Sequence, residues 1–144
     1  MSFLQLEPTQ INRTQVSTDL GLLSQVLEWF ERLDQESVPR SVWLQCQLAL
    51  AEGFTNAVRH AHADKPADTP IEIEVTLRKH SIELRVWDYG AGFDLEKRLD
   101  MLPEPKNQDA DGGRGLKIMQ QTADVFSYTA VDEQRNCLLI VKHF

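Results

Sequence analysis

Three short segments carry side chains whose types and spacing suit chemistry on a nucleotide. Glu52 and Asn56 stand four residues apart in the stretch from Leu48 to Ala61. At helical spacing they share one face. The carboxylate can accept a proton from a hydroxyl or a water, and the amide carbonyl is a suitable ligand for a hard divalent cation. A polar stripe on a solvated helix face has the same pattern. Asp88 follows the run from Arg85 to Trp87 and precedes Gly90 and Gly92. Its carboxylate can accept from an exocyclic amine such as adenine N6, while the glycines let backbone lie against base and ribose. Asp and Gly are also ordinary turn residues. Gly112, Gly113, Arg114 and Gly115 can present successive backbone N–H groups and then open a helix, whose N-terminus favours phosphate. A hinge is the bland alternative. Arg114 and Lys117 are the cations near enough in sequence to meet a terminal phosphate. The glycine run is not a P-loop, since no Lys-Ser or Lys-Thr follows, and it does not follow the first strand of a βαβ unit.

The elements that must position these residues follow from hydropathy patterning. Phe3 to Leu6 alternates weakly and reads as a first strand ended by Pro8. Ser17 or Thr18 is placed to cap a helix through Leu20, Leu23, Val26, Leu27, Phe30 and Leu33. A longer helix is expected from about Ser41 to His62, with Pro39 near its start and Cys46, Ala49, Gly53, Ala57 and Ala61 forming a small-residue face. Ile71 to Leu77 and Ile82 to Val86 alternate as a half-buried hairpin turning near Lys79 and His80. The segment from about residue 95 to 111 is polar and contains Pro103 and Pro105, so it reads as a lid-like connection. Helix resumes from Gly115 to about Ala123, and Val125 to Val131 with Cys137 to Phe144 forms a closing hairpin. This order predicts one domain spanning 1–144: a two-layer α+β sandwich with a mixed, mostly antiparallel sheet and helices on one face.

Composition narrows the function classes. A net charge of −7 disfavours nonspecific nucleic-acid binding, which depends on neutralising phosphates, so no direct nucleic-acid partner is expected. No apolar run approaches the roughly 20 residues of a membrane span, and Met1 to Pro8 has neither the basic start nor the apolar core of a signal peptide. A cytoplasmic location without membrane attachment is the expectation. Cys46 and Cys137 sit in helix and strand patterns without metal-ligand spacing and read as buried small hydrophobes. The histidines His60, His62, His80 and His143 form no convincing ligand spacing either.

Taken in order, Glu52-x-x-x-Asn56, the Asp-x-Gly-x-Gly-Phe-Asp from Asp88 to Asp94, and the Gly-x-Gly-Leu-x-Ile-Met from Gly113 to Met119 followed by Asp124 resemble the N, G1 and G2 boxes of the Bergerat-fold (GHKL) ATPases. Within that superfamily the chain most resembles the small anti-sigma-factor serine/threonine kinases of bacterial partner-switching systems. The resemblance implies ATP and Mg²⁺ as ligands, with Asn56 holding the metal, Glu52 as general base and Asp88 reading adenine. It implies that Gly90 and Gly92 shape the base pocket and that Gly113, Arg114, Gly115 and Leu116 line the triphosphate. It further implies a kinase that holds a sigma factor or comparable regulator, phosphorylates a small antagonist protein, and forms a homodimer. The rival is a noncatalytic, ATP-gated protein-binding module. One departure stands out: where the family usually has a Gly-Thr pair entering the last strand, this chain has Arg135, Asn136 and Cys137. Asn136 is the candidate to replace the missing polar contact.

Overall fold

The computed structural model describes residues 9–102 and 114–144. A five-stranded sheet in the order β1-β2-β3-β5-β4 carries the helices on one face. The strands are β1 (Gln10–Ser17), β2 (Pro70–Leu77), β3 (Ser81–Asp88), β4 (Val125–Ala130) and β5 (Asn136–His143). All four pairings are antiparallel. The helices are α1 (Leu23–Glu31), α2 (Arg40–Asn56), α3 (Leu95–Asp100) and α4 (Arg114–Thr122). The two-layer α+β architecture expected from the sequence is therefore the one observed. No helix among the described residues is long and apolar enough to cross a membrane.

Alternation fixes which sheet face is dry. Ile71, Ile73 and Val75 of β2, Ile82, Leu84 and Val86 of β3, and Leu138 and Ile140 of β5 point to the helices and are buried. Across the layer they meet Trp43, Cys46, Ala49, Leu50 and Phe54 of α2 and Phe30 of α1, whose ring stacks on Trp43 at 4.0 Å. The small-residue face of α2 lets the layers approach closely. A Cβ placed on Gly53 would stand 3.2 Å from Leu138, 3.6 Å from Val86 and 3.8 Å from Met119 of α4. Cys46 and Cys137 are buried and unpaired, and burial pushes the Cys46 thiol up to about 12.

The helix-free face departs from simple half-solvation. Glu74 and Thr76 are both buried there. Glu74 is neutralised by Arg13 and Arg85, and Glu83 by Arg85 at 2.9 Å and Arg78 at 2.8 Å, so ion pairs run across β1, β2 and β3. Burial penalises the Glu83 carboxylate, but its arginine partners outweigh that and hold the carboxyl below its ordinary range.

Three local expectations need correction, and a fourth falls outside the described residues. The strand expected at Phe3 to Leu6 lies outside the described residues, and the first observed strand is Gln10–Ser17. The cap of the following helix is Asp19, which accepts from the Gly21 N–H at 2.8 Å and starts a short 3₁₀ turn, Leu20–Leu22, ahead of α1. The helix expected to run to His62 leaves α geometry after Asn56 and finishes in a π turn, Ala57–Ala61. The first part of the lid-like connection is α3, capped by Asp94 accepting from the Lys97 N–H at 3.1 Å; residues 103–113 lie outside the described residues.

Candidate nucleotide site

Asp88 ends β3 with the same parity as Ile82, Leu84 and Val86, so its carboxylate turns toward the helix layer and is only 2% exposed. A charge in that position needs donors around it. It has three. Oδ1 accepts from the Gly90 N–H at 2.9 Å, the Asn136 side-chain amide at 3.0 Å and the Tyr128 hydroxyl at 3.1 Å. Oδ2 accepts from the same Tyr128 hydroxyl at 2.8 Å. Oδ1 is thus crowded with donors, while Oδ2 keeps capacity for another, such as an exocyclic amine. The phenol in turn stays protonated: burial, then the charge of Asp88, pushes Tyr128 well above the ordinary tyrosine range.

Strand pairing assembles this cluster from distant sequence. Asn136 is the direct cross-strand partner of Asp88, and Tyr128 lies on β4 opposite Leu138. The second Asn136 amide proton goes to the Gly90 carbonyl at 2.9 Å, closing the turn onto β5. Phe93 stacks on Tyr128 at 4.5 Å between ring centroids, and Arg98 of α3 lies 4.5 Å above the Phe93 ring. The two turn glycines have separate reasons. A Cβ on Gly90 would fall 2.4 Å from the Ala61 carbonyl oxygen, so the π turn can touch this backbone only at glycine. Gly92 has φ +81°, the left-handed region that glycine enters freely.

Helix α2 and the π turn that follows it run over β3 and the turn beyond it, from Val86, under Gly53, to Gly90, against Ala61. Asn56 lies between those contacts. It is 8% exposed, and its side-chain amide forms no hydrogen bond among the described residues. Glu52, one turn earlier, faces α4: a Cβ on Gly115 would lie 2.7 Å from Glu52 Oε2. Leu116 is buried beneath this contact and Arg114 is exposed at the helix start. Gly112 and Gly113 lie outside the described residues, so Arg114, Gly115 and Leu116 are the part of the expected phosphate turn that is placed.

The residues expected from sequence therefore form two contact groups: Asp88, Gly90 and Gly92 with Asn136, and Glu52 with Gly115. Sequence reasoning passed over Tyr128 and gave Asn136 only a substitute's part. Parity was the available signal, because Asn136 shares its parity with the buried Leu138 and Ile140 and Tyr128 shares its own with the partly buried Phe126. Asp124, quoted with the third motif, belongs to neither group. Its carboxylate accepts from the His143 N–H at 2.7 Å, which holds it below the ordinary range and ties the start of β4 to the far end of β5.

A chain in the crystal structure of the SiaB–SiaC complex from Pseudomonas aeruginosa shares the fold, with a TM-score of 0.63 over 90% of this chain and 88% of that one at 13% identity. Among curated proteins, the serine-protein kinase RsbW of Listeria monocytogenes is 34% identical over 83 residues, covering 54% of this chain and 52% of the relative. The anti-sigma F factor of Bacillus velezensis is 28% identical over 100 residues, covering 69% of this chain and 68% of that protein. The chain thus spans about half the length of the RsbW relatives it matches. The model of the histidine kinase-like ATPase domain matches residues 16–142, and the chain belongs to that family.

Proposed function

We propose that this chain binds ATP with Mg²⁺ and acts as a protein serine/threonine kinase of the anti-sigma type, transferring the γ-phosphoryl group to a small antagonist protein and holding a sigma factor or comparable regulator in the alternate state. The observation that carries the reading is a pair of carboxylates: Asp88, buried and ringed by donors with spare capacity on Oδ2, and Glu52, held against the opening of α4. The first suits an adenine amine and the second suits a hydroxyl presented beside the phosphates. The names of the curated relatives, a serine-protein kinase and an anti-sigma factor, support the same reading.

In this reading Asp88 Oδ2 accepts from the adenine amine, and the glycines at 90 and 92 leave room for the base. Asn56 supplies the metal ligand, its side chain being mostly buried and its amide forming no hydrogen bond among the described residues. When bound, Mg²⁺ supplies charge neutralisation on the phosphates. Glu52 orients the acceptor hydroxyl and takes its proton as the oxygen bonds to the γ-phosphorus and the bond to the bridging β–γ oxygen breaks, releasing ADP. Arg114 meets phosphate charge at the helix start.

Glu52→Gln tests the chemistry, because it keeps size and helix propensity and removes the base. The variant is expected to retain Mg-ATP and partner binding while transfer of labelled γ-phosphate to a co-purified antagonist-like protein falls ~100- to 10,000-fold. If the unaltered protein binds ATP and that partner tightly and transfers no phosphate, the kinase reading fails and a noncatalytic, ATP-gated binding module replaces it.

A further inference from the structure

Cysteines aside, His62 is the most completely enclosed titratable side chain among the described residues outside the groups assigned above. It is 2% exposed and sits just beyond the π turn, whose last carbonyl, that of Ala61, abuts Gly90. Both ring nitrogens are engaged. Nε2 accepts from the Tyr89 N–H at 2.8 Å, and Nδ1 lies 2.8 Å from Thr18 Oγ1. The Thr18 hydroxyl proton is directed to the Thr69 carbonyl at 2.7 Å. Because the threonine proton is committed there and Nε2 must present a lone pair to Tyr89, the ring proton resides on Nδ1 and is donated to Thr18. One unbroken chain of hydrogen bonds therefore joins the end of β1, the loop before β2, and the backbone immediately after Asp88.

We propose that His62 is a positioning residue for the base pocket: its neutral imidazole fixes the Tyr89 amide and thereby the turn in which the Gly90 N–H is aimed at Asp88. This inference rests on the nucleotide reading of that pocket. The turn has few other anchors. The Gly90 N–H and carbonyl are held by Asp88 and Asn136, and the Tyr89 hydroxyl reaches Glu72 at 3.4 Å. Among the described residues the Tyr89 N–H bonds to His62 alone, so loss of that acceptor leaves an unpaired donor where the chain turns into the site.

Protonation would place an N–H where Tyr89 needs an acceptor. The charged and titratable groups bearing on His62 are Asp88 from β3 and Lys65 and Asp64 from the loop that follows it. Burial dominates and lowers the pKa, with Asp88 and Asp64 opposing and Lys65 assisting. The sign follows: the unfolded chain takes up a proton near 6.5 before the folded chain does, so the stability contributed by neutral His62 is complete above that value and is lost as pH falls below it.

The test is Mg-ATP affinity by calorimetry, with Tyr89 amide exchange read by NMR in the nucleotide-free protein. His62→Ala should weaken affinity about tenfold and deprotect the Tyr89 amide. His62→Gln, whose amide oxygen can accept from Tyr89 and whose NH₂ can donate to Thr18, should restore both. In the unaltered protein affinity should fall only at pH values well below the ordinary histidine range, where the folded chain's buried His62 takes up its proton, while the Gln variant stays level. Thr18→Val, which shortens the chain of hydrogen bonds without emptying the site, should give a smaller loss in the same direction and serves if the Ala variant does not fold. If the unaltered protein binds Mg-ATP and the position 62 and 18 variants bind as well with a protected Tyr89 amide, the inference is overturned while the nucleotide reading stands. An acid-side loss that persists in the Gln variant also overturns it. Failure of the unaltered protein to bind Mg-ATP at any pH overturns the nucleotide reading, and the role given to His62 falls with it.

Discussion

Tyr128→Phe isolates one hydroxyl in the Asp88 cluster. The ring is retained, so its stacking on Phe93 and its burial are unchanged, and the perturbation is the loss of a donor that lies 2.8 Å from Oδ2 and 3.1 Å from Oδ1. Asp88 then keeps the Gly90 and Asn136 donors, both on Oδ1, and Oδ2 has no donor among the described residues. A hydrogen bond to a charged group contributes roughly 1.5–3 kcal/mol, and for a domain of this size that corresponds to a melting temperature about 5–10 °C lower. Urea denaturation at neutral pH measures it directly, with an unchanged m-value showing that the unfolded state is the same. The alkaline limb gives an independent check. Burial and the Asp88 charge raise the folded pKa of Tyr128 above its ordinary 10.0, so the folded state keeps a proton that the unfolded state loses. The stability contributed by Tyr128 is complete below that value and declines as pH rises above it, whereas the Phe variant has no such term. The difference between the two proteins should therefore narrow between about pH 9 and about pH 11. A destabilisation under about 0.5 kcal/mol at neutral pH, or a difference that does not change across the alkaline range, would refute the hydrogen-bond assignment.

The glycines provide a contrast between rigid and yielding neighbours. Gly90→Ala would put a Cβ 2.4 Å from a backbone oxygen, so a loss of roughly 1–3 kcal/mol in urea denaturation and weaker Mg-ATP binding are expected; an unchanged denaturation midpoint counts against that contact. Gly115→Ala instead meets the movable end of Glu52 at 2.7 Å, so stability should shift by less than about 1 kcal/mol while phosphate transfer falls further than nucleotide affinity, as steady-state kinetics beside calorimetry would show. For the base, ATP should be preferred over GTP by about tenfold or more, since guanine presents a carbonyl where Asp88 needs a donor; equal affinities in competition titrations would remove Asp88 from base recognition.

Much of the layer architecture was readable because burial and period coincide. Ile82, Leu84 and Val86 alternate against polar neighbours, and the face from Cys46 to Ala57 is small enough to admit the sheet, so β2, β3, α2 and the closing hairpin fall close to their expected places. Strand β1 was missed for a physical reason. At the sheet edge its half-buried positions are Asn12, Thr14 and Val16 while Ile11 is 55% exposed, so hydropathy does not alternate where geometry does. The π turn was illegible because one extra backbone residue in a helix leaves no mark on composition. Its consequence is concrete, since it brings the Ala61 carbonyl to Gly90 and sets His62 beneath Tyr89.

The site was legible where motif residues are neighbours in sequence and illegible where the sheet joins them. Asp88 and Gly90 can be paired by eye. Tyr128 and Asn136, 40 and 48 positions further on, become partners of Asp88 only after β5 has paired with both β3 and β4. Parity carries the missing information. A polar residue that continues a buried alternation, as Asp88 continues Ile82, Leu84 and Val86, must be matched by donors from neighbouring strands, and the register then dictates which ones. Asn136 directly opposite Asp88 satisfies that requirement with one amide proton and pins the Gly90 carbonyl with the other. A threonine at this position could not do both. A hydroxyl has a single proton to give and cannot donate to the carboxylate and the turn at once. The last strand's part is thus to hold the carboxylate in place, and in the proposed reading Asp88 Oδ2 is left as the atom that distinguishes the base.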